Sequence, residues 1–340
     1  TTMASNFKPG ALTFLLVAVA LLPLVSTNAY LLHVVILAMV YATFAAGWNL
    51  ATGTTGLKSF GHQAFFGIGA YGSALLSLHA GWSPWLTVFV AAAVAAVAGC
   101  LIALPVLRLK SVPHVAIVTL AFAEIVRMVL ANAKDLTRGE MGLSGIPPLP
   151  DVTLFGWQLL RFDVAAKTGY YQIALALLVL SLLVLWLVVR SRTGLALMAI
   201  RDADDAAESL GINLTAHKLV AFGLSAFIVG LCGAFYAHYV LVLTPGSVAG
   251  VELMMLIVSI VLVGGIGHFS GPVIAAFVLT CGLESLRGLG EYRMLIYGGL
   301  IVAVVLFSPE GLAALPKRWR ELLGRRVGKP LAPHADSAYS

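Results

Sequence analysis

Charge is what this sequence has least of. Asp, Glu, Lys and Arg make up 11% of its 340 residues, whereas 60% are hydrophobic. Soluble domains carry about 25% charged and about 45–50% apolar residues. A soluble fold of this length could not hide so much apolar surface. A bilayer can, because lipid replaces water around the outer faces. The composition therefore predicts an integral membrane protein with one bundle-like domain.

Cysteine is also scarce. Cys100, Cys232 and Cys281 each sit inside an apolar run, without CxxC spacing, and read as small buried hydrophobes. The eight histidines form no HExxH and no paired spacing, so no metal site is expected. No Ser/His/Asp set is spaced for catalysis, and no catalytic residue is assigned. A phosphate loop is missing too. Gly53-Thr-Thr-Gly56-Leu57-Lys58-Ser59 lacks the adjacent Gly, Lys and Ser/Thr that bring backbone N–H groups and lysine onto a phosphate. Gly67-Ile-Gly-Ala-Tyr-Gly72 matches GxGxxG, but inside an apolar run, where glycines let helices approach closely. The chain is expected to bind no cofactor of its own. Its net charge of +6 lies in loops and tail with no aromatic-interleaved patch, so nucleic acid is not an expected partner.

What is present is a series of long apolar segments. A spanning helix needs about 20 such residues. The segments run about Ala11–Ser26, Tyr30–Leu50, Phe60–Leu78, Pro84–Leu107, Val112–Ala131, Gly169–Val189, Ala216–Leu243, Val251–Gly265, Gly271–Leu286 and Met294–Phe307. They predict an all-α polytopic bundle of about ten transmembrane helices. Thr1 and Thr2 precede Met3 and read as an expression remnant. The first apolar run could be a signal peptide, but a retained span fits better. The expected layout is a cytoplasmic N-terminal tail over 1–10, a transmembrane domain over 11–308 and a basic cytoplasmic tail over 309–340.

Basic residues set the orientation. Lys317, Arg318, Arg320, Arg325, Arg326 and Lys329 follow the last span and place the C-terminus inside. Counting back puts the loop over 190–215, the Arg108–Lys110 turn, Lys58 and Lys8 on the same side. The loop over 132–168 falls outside, and its Ile146-Pro147-Pro148-Leu149-Pro150 stretch is expected to cap the outer mouth. Arg287 and Arg293 fit this scheme least well.

Three segments carry function. Gly47 to Gly67 is dense in Gly, Ser, Thr, Asn and Gln between two spans. Unwound backbone at membrane depth is tolerated where it is buried in protein or lines a cavity. Asn49, Gly53, Gly56, Ser59, Gly61, Gln63, Gly67 and Tyr71 are therefore candidate pathway residues, against the reading of an ordinary loop. Gly264 and Gly265, in a second glycine-rich turn, join them. Both turns lead into outward-going spans, a hint of parallel halves. His62 and His268 follow these turns and read as polar groups meeting water at helix starts. The second segment is an amphipathic helix from Gly194 to Gly211, capped by Thr193 and ended by Gly211. Leu197, Ile200, Ala203, Ala207 and Leu210 form its apolar face. Arg201, Asp204, Asp205 and Glu208 lie opposite, with Arg201 and Asp205 spaced to pair. Its acids disfavour resting on anionic lipid and favour docking into a protein groove. The third is Glu124 with Arg127 inside a span, which either pair structurally or serve the pathway. Glu284 and Arg287 repeat that spacing as a structural pair.

Taken together, these residues resemble a known family. Gly47-Trp-Asn-Leu…Gly53…Gly56…Ser59…Gly61-His62-Gln63-Ala-Phe-Phe-Gly67-Ile-Gly-Ala-Tyr71 is similar to the N-terminal signature of LivH/LivM-type permeases of branched-chain amino acid ABC importers. Arg192-Thr-Gly194 to Arg201-Asp202, Ala206-Ala207-Glu208 and Leu210-Gly211-Ile212 resemble its coupling loop. So do Lys218 to Phe222, Ser225 and Gly230 to Gly233. Val263-Gly-Gly-Ile-Gly267, Gly271-Pro272 and Pro309-Glu-Gly311-Leu resemble its C-terminal signatures. Chain length and the long outer loop resemble the LivM-like member. Lys58, His268 and Phe269 depart from the pattern.

The resemblance implies a type II-like ABC importer permease in a bacterial inner membrane. It implies a second LivH-like permease, two LivG/LivF-like ATPase subunits that bind ATP and Mg, and an extracytoplasmic binding protein. Gly194, Arg201, Asp202, Asp205, Ala207, Glu208 and Gly211 would then be the ATPase-coupling residues. Related importers carry urea, amides or aromatic acids, so the solute stays open. An ion-coupled secondary carrier is the alternative from another class, disfavoured by the scarcity of unpaired acids in the spans. An intramembrane enzyme would need a catalytic group set.

Overall fold

The computed structural model describes residues 9–26, 28–109, 111–154, 157–160, 167–290 and scattered positions up to 306. The tenth expected span is described at only six of its positions, between 295 and 306, and the tail with its basic cluster lies outside the described residues. The other nine expected spans are helices. In chain order the elements are α1 (Pro9–Val25), α2 (Ala29–Thr55), α3 (His62–His79), α4 (Pro84–Val106), α5 (Val112–Asn132), α6 (Lys134–Thr137), β1 (Leu143–Ser144), β2 (Val152–Leu154) and β3 (Trp157–Leu160). There follow α7 (Thr168–Arg190), α8 (Arg192–Asp202), α9 (Asp204–Ser209), α10 (Leu214–Val240), β4 (Val242–Leu243), α11 (Pro245–Ala249), α12 (Val251–Gly264) and α13 (Gly271–Ser285).

Six of these segments are long and apolar enough to cross a membrane, counting Pro245–Gly264 as one. Burial separates centre from rim. In their most apolar stretches α2 is 67% and α10 72% buried, whereas α5 is 17% buried. α2 and α10 form the core pair and α5 presents its flank outward.

The core pair meets through hydrogen bonds that apolar packing alone would not supply. Ser225 Oγ donates to the Gly47 carbonyl at 2.7 Å and Cys232 Sγ to the Val40 carbonyl at 3.2 Å. The Cys232 side chain is a buried hydrophobe that also ties two helices. α3 packs on α10 almost backbone to backbone. A Cβ on Gly69 would strike the Gly230 carbonyl, and one on Gly233 the Phe66 carbonyl. Small residues permit such approaches between membrane helices, as the Gly67–Gly72 run suggested.

Three boundaries differ from expectation. α2 runs to Thr55, five residues past Leu50, so most of the Gly/Thr/Asn-rich stretch is helical. Thr54 and Thr55 return their hydroxyls to the Leu50 and Ala51 carbonyls, which removes the polar penalty of helix at this depth. α10 ends at Val240 rather than Leu243, with Leu241 left-handed. A short helix, α11, then starts at Pro245 under a Thr244–Ser247 capping box.

The loop over 132–168 carries α6, a β2–β3 hairpin and β1, which pairs antiparallel with β4 (Leu143↔Leu243). The loop's own Ile146 and Leu149 are buried. The proline stretch thus closes over the ends of α3, α4 and α10.

Candidate functional site

The segment between α7 and α10 is two helices rather than one. Ser191, not Thr193, caps α8, accepting from Gly194 N at 3.3 Å. Ala203 is extended (φ −161°, ψ 100°) and separates α8 from α9. Gly211 is left-handed at φ +81° and closes the unit, as expected. The break rotates α9 relative to α8 and changes both faces. Gly194, Leu197, Met198, Ile200 and Ala207 are buried, while Ala203 is exposed and Leu210 is 81% exposed. Arg201 pairs with Asp202 at 3.1 Å rather than with Asp205. Asp204 pairs with Lys218 on α10 at 2.8 Å. Asp205 and Glu208 are exposed. The unit therefore has one face set into α2, α7 and α10 and one acidic, partly apolar face turned outward.

At the same end of the bundle, α2 meets the α12–α13 turn. Asn49 Oδ1 accepts from Gly267 N at 2.9 Å and its Nδ2 donates to the His268 carbonyl at 2.8 Å. One turn on, a Cβ at Gly53 would lie 2.9 Å from Gly267 Cα. Gly264 packs against Gly271 and Pro272, and Gly265 turns the chain at φ +97°. Gly56 ends α2 at φ +74°. The sequence separates these glycines by more than 200 positions; the fold makes them one joint.

Ser59, Gly61 and His62 serve a network at the start of α3. Trp48 Nε1 donates to the Ser59 carbonyl at 2.6 Å. His62 bridges Ser59 Oγ (3.1 Å) and Ser225 Oγ (2.9 Å) and is fully buried, not water-facing as expected. Gly61 sits under the Thr119 carbonyl of α5.

Gln63, Gly67 and Tyr71, four residues apart, share the neighbouring face of α3. Gly67 leaves room for Ala249 of α11, and Tyr71 Oη donates to the Leu243 carbonyl at 3.4 Å. Gln63 is fully buried, and neither amide atom has a partner among the described residues. A primary amide offers four hydrogen-bonding positions, and leaving them empty costs about 1–3 kcal/mol.

Glu124 lies elsewhere. It holds Arg127 through three contacts of 2.6–3.1 Å, and Arg127 reaches Glu140 of the loop over 132–168 at 3.4 Å. The pair sits on the outward-turned α5, fastening that loop. Glu284 pairs with Arg287 at 2.9 Å and accepts from the Tyr30 hydroxyl. The opposite end also holds a group that sequence reading missed. His238 of α10, buried, contacts the Pro147 carbonyl and Ser73 Oγ, each at 2.8 Å, and Ser73 continues to Thr87 at 2.9 Å. A lone histidine in an apolar run gives no sign of partners on three other segments. Among the described residues no group of three His, Cys, Asp or Glu gathers to hold a metal.

Residues 30–305 match the family model described as branched-chain amino acid transport system / permease component. The chain is 35% identical over 299 residues to the high-affinity branched-chain amino acid transport system permease protein LivM of Escherichia coli (strain K12), covering 83% of this chain and 69% of that protein. It is 34% identical over 324 residues to LivM of Salmonella typhimurium (strain LT2), covering 90% and 75%. To the probable branched-chain amino acid transport permease protein LivH of Methanocaldococcus jannaschii it is 24% identical over 295 residues, covering 82% and 89%. No solved structure matches.

Proposed function

The chain belongs to the permease component family of branched-chain amino acid transport systems, as a LivM-like subunit of an ABC importer, and on that premise we propose that its own solutes are branched-chain or similarly apolar amino acids. Permeases of this kind work with ATPase subunits and a binding protein and span the inner membrane. In this reading the partners are a second, LivH-like permease, two LivG/LivF-like ATPases and an extracytoplasmic binding protein. ATP and Mg belong to the ATPases, and this chain binds neither. The α8–α9 end faces the cytoplasm together with both termini, in keeping with the basic residues beyond the last span. The binding protein meets the opposite end, where the loop over 132–168 lies.

The observation that carries the reading is the two-faced α8–α9 unit. Its inner face is buried in the bundle, while Asp205 and Glu208 of α9 and Leu210 at its C-cap stand exposed. An 81% exposed leucine among acids suits neither water nor an anionic lipid surface, but it suits a groove on a partner protein. ATP-driven closure of the ATPases would move this unit and, through it, the spans. The Gln63–Gly67–Tyr71 face of α3 is the stretch of pathway assigned to this chain, because its buried amide awaits a partner that a polar solute can supply.

The test is purification of the tagged chain in mild detergent, with ATPase activity measured on the eluate. Two ATPases and a second permease should co-purify. Glu208→Arg should lower the recovered ATPase activity by more than about tenfold, since a reversed charge at a docking face costs several kcal/mol. A chain that purifies alone and moves solute in vesicles without ATP would replace this reading with an ion-coupled carrier.

A further inference from the structure

We propose that Arg201 is a positioning residue, not part of the docking surface. In this proposal, which rests on the importer reading above, it transmits movement of α8–α9 to the joint between α2 and the α12–α13 turn. Arg201 stands on the last turn of α8 with its side chain only 25% exposed. Its Nη1 donates to the Gly53 carbonyl at 2.9 Å, while Nε and Nη2 rest on Asp202 Oδ1 at 3.2 and 3.1 Å. The guanidinium is thus clamped by its neighbour and aimed inward.

The Gly53 carbonyl is open to such a donor for a local reason. In a continuing helix the N–H of residue 57 would serve it. Gly56 instead turns left-handed at φ +74°, and Leu57 N goes to Thr55 Oγ1 at 3.2 Å. The last carbonyls of a helix carry partial negative charge, so a cation is favoured there. Arg201 supplies it from a segment 148 residues away.

The contact reaches beyond α2. Gly53 lies against Gly267, and Arg201 Nη1 comes within 3.4 Å of where a Gly267 Cβ would stand. Asn49, one turn back, bonds the same turn through both ends of its amide. One guanidinium therefore bonds the end of α2 and fills the space beside Gly267, in the turn that joins α12 to α13.

The other half of the unit is tied differently. Across the extended Ala203, Asp204 of α9 pairs with Lys218 of α10 at 2.8 Å. The two halves are fastened to different helices on either side of a break. A tilt of the unit would load α10 through Lys218 and the α2–α12–α13 joint through Arg201.

The experiment compares the full complex, reconstituted in vesicles with its binding protein, carrying wild-type chain, Arg201→Met, Arg201→Lys or Gly53→Ala. Recovery of ATPase subunits, ATP hydrolysis and solute uptake are measured together. Arg201→Met should keep its ATPase subunits and hydrolyse ATP, yet consume about tenfold more ATP per solute moved, within the usual range of coupling between sites. Arg201→Lys keeps a point charge that can reach the Gly53 carbonyl and should restore much of the coupling. Gly53→Ala disturbs the joint from the α2 side and should show the same split between docking and transport. Wild-type stoichiometry in Arg201→Met and Gly53→Ala would overturn the proposal. So would loss of the ATPases in Arg201→Met, since that would make Arg201 a docking residue. If the wild-type chain recovers no ATPase at all, the importer reading itself falls and takes this inference with it.

Discussion

The two ends of the bundle are built in opposite ways. At the end holding the loop over 132–168, β1 pairs with β4, His238 links that loop to α3 and α10, and Trp85 Nε1 donates to the Pro150 carbonyl at 3.3 Å. Several segments are stitched there, by the buried His238 at the centre and by more exposed bonds around it. At the α8–α9 end, glycines meet glycines at the α2–α12–α13 joint, and the α8–α9 unit itself is tied by part-exposed bonds, Arg201 to the Gly53 carbonyl and Asp204 to Lys218. The first construction resists relative movement of its parts. The second lets two helix ends and a turn shift against one another with little side chain in the way.

Glycines at positive φ sharpen the contrast. Gly142 (φ +77°) lies under the Leu243 carbonyl, where a Cβ would collide with backbone. Gly142→Ala should destabilise the detergent-solubilised protein by about 3 kcal/mol, strain and clash combined, read as a lowered thermal midpoint. His238→Ala should cost about 2 kcal/mol, because it leaves the Pro147 carbonyl without its donor and removes one of the two partners of Ser73. Hydrogen exchange in the strand and loop over 143–150 should rise, with exchange around α8–α9 unchanged. Gly56→Ala meets nothing nearer than Arg201 Cγ at 3.5 Å, so only the left-handed backbone opposes it, at about 1 kcal/mol. Equal losses at Gly142 and Gly56 would erase the distinction between a stitched end and a loose one.

The smallest effect has the opposite sign. Gln63→Met keeps the volume of a buried side chain and removes an amide with no partner, so stability should rise by up to about 1 kcal/mol. Uptake should fall if the α3 face lines the pathway. A stable variant with full uptake would remove Gln63 from it.

Long apolar runs were legible in the sequence because a helix in lipid must satisfy its own backbone, leaving few alternatives for such a run. The same logic misled at Ala51–Thr55, just past the expected end of the span at Leu50. Small polar residues there read as unwound chain, yet threonine hydroxyls fold back on carbonyls one turn away, and Gly53 is consumed by its contact with the α12–α13 turn. The break at Ala203 has no Gly or Pro to announce it. Arg201 was legible as a polar residue of the loop between α7 and α10. Its direction was not, because an apolar-face count on one continuous helix places it outward.

Membrane residence, the helical class, the order of the spans and the two-faced segment before α10 followed from the sequence alone. They rest on local periodicity and on the cost of charge in lipid, and both are properties of short stretches of chain. Which glycines form the joint, where His238 finds its partners and whether Arg201 points in or out were decided by the tertiary structure. Each depends on backbone atoms brought together from distant segments, and no local pattern encodes a carbonyl that another helix leaves free.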